Sequence, residues 1–294
     1  MKRLIIIIVV IVLLAYLGAS SYLAINLMEV RRIPLEDSPA SVGLDYEDVL
    51  FPTRVDDITL SGWYIPGGTF AIIVVTGFHS NRYNPEIGTL EISKDLVGEG
   101  FSVLLFDMRG CGESEGEGTT LVDFEQDIGG AIDYIKSRGY QDIGLLGFSL
   151  GAAEALIFAS QEDIAVVISD SSFANVSDML VSVGAKERGL PEALVRFLEP
   201  GVFLIASIFY GYERVDPVDV VADINCPILF IHGEADATIP VNSAYELYQA
   251  SGKAKDELLI VPGATHCFAY RTDPLGYIEK ITSFWEVIVC LAKR

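Results

Sequence analysis

Residues 143–154 read IGLLGFSLGAAE, an apolar run, then Ser149 between Gly147 and Gly151, then small helix formers. A serine in a turn is ordinary. A serine with glycine two residues away on each side, at the junction of a buried strand and a helix, answers a geometric demand. A sharp strand–turn–helix exposes the serine Oγ at the carboxyl edge of a sheet, and a Cβ at either flanking position would clash where strand and helix converge.

Outward from this stretch, FAIIVVT, FSVLLFD, AVVISD, PILFIHG and ELLIVPG are further short, continuous apolar runs rich in Val, Ile and Leu. Segments of helical period, such as LVDFEQDIGGAIDYIKSRG and SAYELYQAS, lie between most of them. Continuous rather than alternating strands, separated by helices, predict a mostly parallel, doubly wound α/β sheet buried on both faces. Before them, YEDVLFPTRVDDITLSGWYIPG alternates around Asp56-Asp57 and predicts an antiparallel hairpin at the sheet edge. One insertion breaks the rhythm. About residues 171–225 separate two strands, with apolar helical stretches near Met179–Gly184, Ala193–Phe197 and Gly201–Phe209. Loops at the carboxyl ends of parallel strands lie over the ligand crevice, so this insert is expected to form a helical cap.

The chain has 294 residues, 51% of them hydrophobic, enough for one α/β domain over residues 46–294. Its 41 acidic and 20 basic residues give a formal charge of −21. That field repels phosphate backbones, no basic stripe offsets it, and a nucleic-acid partner is not expected. Cys111, Cys226, Cys267 and Cys290 show no metal-ligand spacing, and chemistry carried by a nucleophilic serine requires neither metal nor organic cofactor.

Residues 1–30 are of a different kind. No charge occurs from Leu4 to Met28, a run that would extend roughly 37 Å as a helix and cross a bilayer. Gly18-Ala19-Ser20-Ser21 offers a cleavage site for a signal peptidase, but the uncharged run continues past it, which favours a retained, lipid-contacting single-pass anchor. Lys2 and Arg3 before the run and Arg31 and Arg32 after it nearly balance, and the three-residue tail favours an external catalytic domain. Residues 31–45, with two prolines and mixed charge, are expected to be a tether.

A nucleophilic serine needs a base, and the chain has three histidines. In an elbow-type hydrolase the order is Ser, Asp or Glu, His. His79 precedes Ser149, and His232 ends a strand, which leaves His266 in the loop after the last strand. For the acid, Asp236 follows the preceding strand, with Glu234 and Asp170 as competitors. Asp170 is expected instead to cap the start of the insert.

With FDMRGCGESEG (106–116), GFSLG (147–151), IHGEADATIP (231–240) and PGATH (262–266) in this order, the chain resembles the α/β-hydrolase superfamily. It is most similar to the serine-aminopeptidase and monoglyceride-lipase-like branch, which has membrane-anchored members. The resemblance spans about Tyr46 to Trp285. It implies Ser149, Asp236 and His266 as catalytic triad and the backbone N–H groups of Phe78 and Leu150 as oxyanion donors. Thr76-Gly77 stands where relatives carry His-Gly, a departure in the oxyanion loop. The implied substrate is a small-molecule carboxylic ester, with lipids and acylglycerols among its candidates. The alternatives are a peptide or amide, with DFEQD (123–127), Glu187 or Glu192 holding an amino group, or acyl transfer by the same triad. Phe78, Phe173, Phe203 and Phe209 are candidates for an apolar acyl pocket beneath the cap.

Overall fold

In a computed structural model, residues 1–294 are described except Arg31, Phe78, His79, Thr120, Lys293 and Arg294, and the side chains of residues 187–188 and 287–292. Eight strands form one sheet: β1 (Glu47–Pro52), β2 (Thr59–Ile65), β3 (Phe70–Val75), β4 (Phe101–Phe106), β5 (Ile143–Phe148), β6 (Val166–Asp170), β7 (Ile228–Gly233) and β8 (Glu257–Val261). Their spatial order is β1-β2-β4-β3-β5-β6-β7-β8. β1 and β2 pair antiparallel, β2 joins β4 antiparallel, and every later pairing is parallel. The fold is the α/β-hydrolase fold expected, with the hairpin at its edge.

The helices are α1 (Lys2–Met28), α2 (Thr89–Gly98), α3 (Phe124–Ser137), α4 (Leu150–Ala159), α5 (Val176–Arg188), α6 (Glu192–Tyr210), α7 (Pro217–Val220), α8 (Asn242–Ser251), α9 (Ala269–Thr272) and α10 (Pro274–Ala292). Along β3, Ala71, Ile73 and Val75 face a core completed by α3, α4 and α8, while Ile72 and Val74 face one completed by α2 and α10. The two-residue period of a strand therefore feeds two separate cores, which is why the central strands read as unbroken apolar runs. All ten residues of α4 are buried.

The insert forms α5 and α6, and here two expectations change. The stretches 193–197 and 201–209 are one helix, α6, running through Pro200. Proline supplies no N–H and opens the helical ladder. The opened turn is closed from outside: Tyr16 Oη accepts the N–H of Gly201 at 3.0 Å, and Ser20 Oγ donates to the carbonyl of Leu198 at 3.2 Å. Both partners belong to α1. The first fifteen residues of the chain are exposed, but Ser20, Leu23, Ala24 and Met28 are buried, and Leu23 and Ala24 share a cluster with Leu180 and Val181 of α5 and Val195, Leu198 and Val202 of α6. α1 is long and apolar enough to cross a membrane. It is also part of the cap.

The segment after α1 is not a free tether. Val30 donates its N–H to Gly118, and the guanidinium of Arg32 donates to the carbonyls of Gly112 (2.8 Å) and Ser114 (2.6 Å). Asn81 Nδ2 donates to the carbonyl of Ile33 at 2.9 Å. Backbone acceptors in the loop after β4 converge on a fixed cation, and that cation holds the chain down.

Candidate active site

Ser149 has φ 54° and ψ −114°, a conformation that L-residues rarely adopt. A Cβ on Gly147 would collide with Gly151 and Ala152, and one on Gly151 with the carbonyls of Val75 and Thr76. The two glycines let α4 start directly over β5, so the serine Oγ projects from the carboxyl edge of the sheet. Leu150 opens α4, and its N–H lies at the positive end of the helix dipole. Gly77 packs against the same turn, a Cβ there falling 3.6 Å from the Leu150 nitrogen. Phe78, the other expected oxyanion donor, lies outside the described residues, as does His79.

His266, between β8 and α9, reaches Ser149 Oγ with Nε2 at 2.9 Å and Asp236 Oδ2 with Nδ1 at 2.7 Å. The three residues expected to work together are thus in one hydrogen-bonded row. Nδ1–H donates to the carboxylate, which leaves Nε2 to accept from the serine hydroxyl. Asp236 Oδ1 also accepts the N–H groups of Thr238 (2.8 Å) and Ile239 (2.9 Å). Burial pushes its carboxyl up, but the hydrogen bonds from His232 and His266 and the backbone outweigh it and hold Asp236 well below the usual carboxylate range.

The competing acids are elsewhere. Glu234 is exposed and meets the N–H of Gly263. Asp170 does not cap the insert; that task falls to Asp216, whose Oδ1 accepts the N–H of Val176 at 2.7 Å. Asp170 is fully buried and accepts hydrogen bonds from Ser171 Oγ (2.9 Å) and Tyr277 Oη (3.0 Å). Ser171 Oγ in turn accepts the N–H of Cys267 at 3.1 Å. Asp170 therefore braces the loop that carries His266 without touching the imidazole. Burial pushes its carboxyl up to about 6, the hydrogen bonds opposing.

His232 is a partner that chain order alone passes over. Its Nε2 lies 2.9 Å from the carbonyl of Ile239 and 3.3 Å from Asp236 Oδ2. A carbonyl only accepts, so Nε2 carries the proton and donates to both oxygens. Its Nδ1 is buried with no partner among the described residues. The only sequence signal is the four-residue step from His232 to Asp236.

Ser149 and Leu150 lie at the base of a cleft of about 660 Å³, open solvent at its mouth included. Phe173, Met179 and Val183 line it from the insert, Phe203 and Ala206 from α6, and Leu27 and Met28 from α1. Of the aromatic candidates, Phe173 and Phe203 line this cleft; Phe209 does not, being exposed on the outer side of α6. None of the described lining residues carries a charge. Asp123 and Asp127 of the DFEQD stretch pair with Arg109, Glu192 is exposed, and the side chain of Glu187 lies outside the described residues. Cys111, Cys226 and Cys267 are buried free thiols.

Residues 72–279, well over half of the chain, match the model of the alpha/beta hydrolase family. The chain belongs to that family. This hydrolase is 29% identical over 245 residues to the uncharacterized protein YfhR of Escherichia coli O157:H7, across 79% of this chain and 78% of that one. It is 25% identical over 206 residues to the lysophosphatidylserine lipase ABHD12 of zebrafish (Danio rerio), across 64% of this chain and 52% of that one. Among solved structures, the esterase Pf2001 of Pyrococcus furiosus superposes with a TM-score of 0.75 at 26% identity, covering 88% of this hydrolase and 97% of the esterase.

Proposed function

We propose that this hydrolase is a membrane-anchored carboxylesterase that cleaves esters with apolar acyl groups through Ser149, His266 and Asp236. The observation that carries this reading is the uncharged cleft that ends on the Ser149 hydroxyl while that hydroxyl is hydrogen-bonded to His266. His266 Nε2 takes the serine proton as Oγ attacks the ester carbonyl, and Asp236 holds the imidazole in the Nδ1–H tautomer and stabilises the imidazolium. The carbonyl oxygen becomes an oxyanion, met by the Leu150 N–H and, by position, that of Phe78. Collapse expels the alcohol, which takes the proton from His266. Water, deprotonated by the same imidazole, then attacks the acyl-enzyme, releases the acid and returns the proton to Ser149.

An aminopeptidase would need a carboxylate to hold the substrate's α-amino group, and among the described residues no acidic side chain lines the cleft. An apolar acyl chain needs only hydrocarbon walls. The structural likeness to the Pyrococcus esterase and the sequence likeness to the zebrafish lipase support the ester reading.

The test is hydrolysis of p-nitrophenyl esters of increasing acyl length by the full chain in detergent, with Ser149→Ala as the control. Turnover is expected to fall by about four orders of magnitude or more in the variant, as when a triad nucleophile is removed. A variant that keeps the parent's rate refutes the assignment. Peptide amide turnover without ester turnover would transfer it to the amidase reading.

A further inference from the structure

The length of α1 and the way it docks do not fit a helix that merely ties a domain to a membrane. Its free apolar part, Leu4–Ala15, is twelve residues, or roughly 18 Å of helix. A bilayer's hydrocarbon core is roughly 30 Å thick. A crossing by α1 therefore needs about eight more residues, down to the neighbourhood of Leu23. That second stretch is packed on α6 through Tyr16, Ser20 and Gly201, where a Cβ on Gly201 would collide with Ser20. Whatever surrounds α1 at that depth must also surround the outer side of α6.

The outer side of α6 is suited to hydrocarbon. Phe197, Leu204, Ile208 and Phe209 are each more than half exposed, and Phe197 stacks edge-on against Tyr16 of α1 at 5.3 Å. Isolated exposed apolar residues need no explanation; a strip of them continuous with a bare apolar helix does. One turn past Leu23, roughly 6 Å along the axis, Leu27 and Met28 turn inward and line the cleft above Ser149. The same helix is bare at one end and a wall of the candidate site at the other.

We propose that α1 and α6 form one lipid-embedded surface, and that the acyl chain of a membrane-resident ester enters the cleft along it, with Met28 limiting how long a chain fits. The inference rests on the esterase reading for its substrate and on the geometry of α1 for its route. It requires α1 to be retained, because cleavage near Ser20 would remove Tyr16 from Gly201 and leave the α6 turn at Pro200 unclosed.

The test uses the full chain in phosphatidylcholine vesicles. Leu204→Trp and Phe209→Trp are each expected to give emission quenched by lipids brominated on their acyl chains, beyond the quenching of the parent's own Trp63 and Trp285. In parallel, kcat/KM is measured for p-nitrophenyl decanoate and butyrate with the parent, Met28→Trp and Met28→Ala. The decanoate-to-butyrate ratio is expected to fall at least tenfold in Met28→Trp, and to stay level or rise in Met28→Ala. Absence of acyl-chain quenching at both tryptophans overturns the lipid-embedded surface, including the outcome in which α6 instead binds a second copy of the chain. A ratio unchanged within twofold in both Met28 variants overturns the pocket wall. If the parent turns over neither ester in a Ser149-dependent way, the esterase reading itself fails, while the quenching still decides whether α6 meets lipid.

Discussion

Asp236 holds two imidazoles at once. His266 uses Oδ2 from the solvent side at 2.7 Å, and His232 approaches the same oxygen from within β7 at 3.3 Å. Because His232 also bonds the Ile239 carbonyl, it fixes the loop whose N–H groups clamp Oδ1, and so sets the plane of the carboxylate. His232→Gln is expected to lower kcat about tenfold, equivalent to roughly 1.4 kcal/mol, with KM nearly unchanged. Equal changes in both constants, or none, would remove this positioning role. Asp170 and Asp236 are buried carboxyls driven in opposite directions. Asp170 is raised to about 6, so it binds its proton more tightly folded than unfolded. Its contribution to stability is full below about pH 4 and is lost as the pH rises through about 6. Asp236 is lowered, so its contribution is present above about pH 4 and is lost only as the pH falls through its folded value. Asp170→Asn keeps the neutral shape and removes the titration. Its melting temperature relative to the parent is expected to improve between about pH 4 and pH 8, where the parent gives up about two pH units' worth of stabilisation at ~1.4 kcal/mol each. A difference that does not move with pH would contradict the assignment.

Among the elements, the α1–α6 contact is the one whose disruption separates fold from function. The sheet and its two cores do not depend on Gly201, whereas the approach of the two helices does, since a Cβ there meets Ser20 and Tyr16. Gly201→Val is expected to cost about 1–3 kcal/mol by overpacking, seen as a lower melting temperature, and to reduce long-acyl turnover more than short. Adding Ser20→Gly, which vacates the colliding side chain, should restore part of both. No loss in the single variant would mean that α1 is not held as described. This contact also marks where the sequence stops being legible. The central strands could be read because they are buried on two faces and so are uniformly apolar, the edge hairpin because it alternates, and Ser149 and His266 because strand ends and chain order constrain a triad. α1 is apolar all round, so no periodicity distinguishes its docked face from its lipid face. Pro200-Gly201 reads as a break, because the groups that close the turn, Tyr16 and Ser20, lie about 180 residues away in the chain. Arg32 has the same character: one of two adjacent arginines before a proline-containing stretch, it shows its value only once the loop after β4 turns its carbonyls toward it.

At the scale of the whole molecule, two surfaces of opposite kind meet. The chain carries a formal charge of −21, while residues 4–15 and the exposed apolar strip of α6 are bare hydrocarbon. If α1 and α6 are lipid-embedded as proposed, Arg32 and the strap behind it, bonded to the loop after β4, would hold the acidic domain within reach of the headgroups. An anionic membrane therefore repels the body that its hydrocarbon attracts, and the repulsion acts over the Debye length, about 10 Å at 0.1 M salt and 3 Å at 1 M. Activity on an ester dispersed in phosphatidylcholine vesicles is expected to fall when part of that lipid is replaced by phosphatidylserine at low ionic strength. It should recover toward the zwitterionic rate as salt approaches 1 M. The control is p-nitrophenyl butyrate in detergent, an uncharged ester away from any bilayer, whose turnover should change little over the same salt range. If phosphatidylserine raised the rate at low salt, the domain would have to meet the membrane through a basic face, and the repulsion would be refuted. If composition and salt made no difference, the acidic body would stand farther from the headgroups than the docking of α1 onto α6 allows.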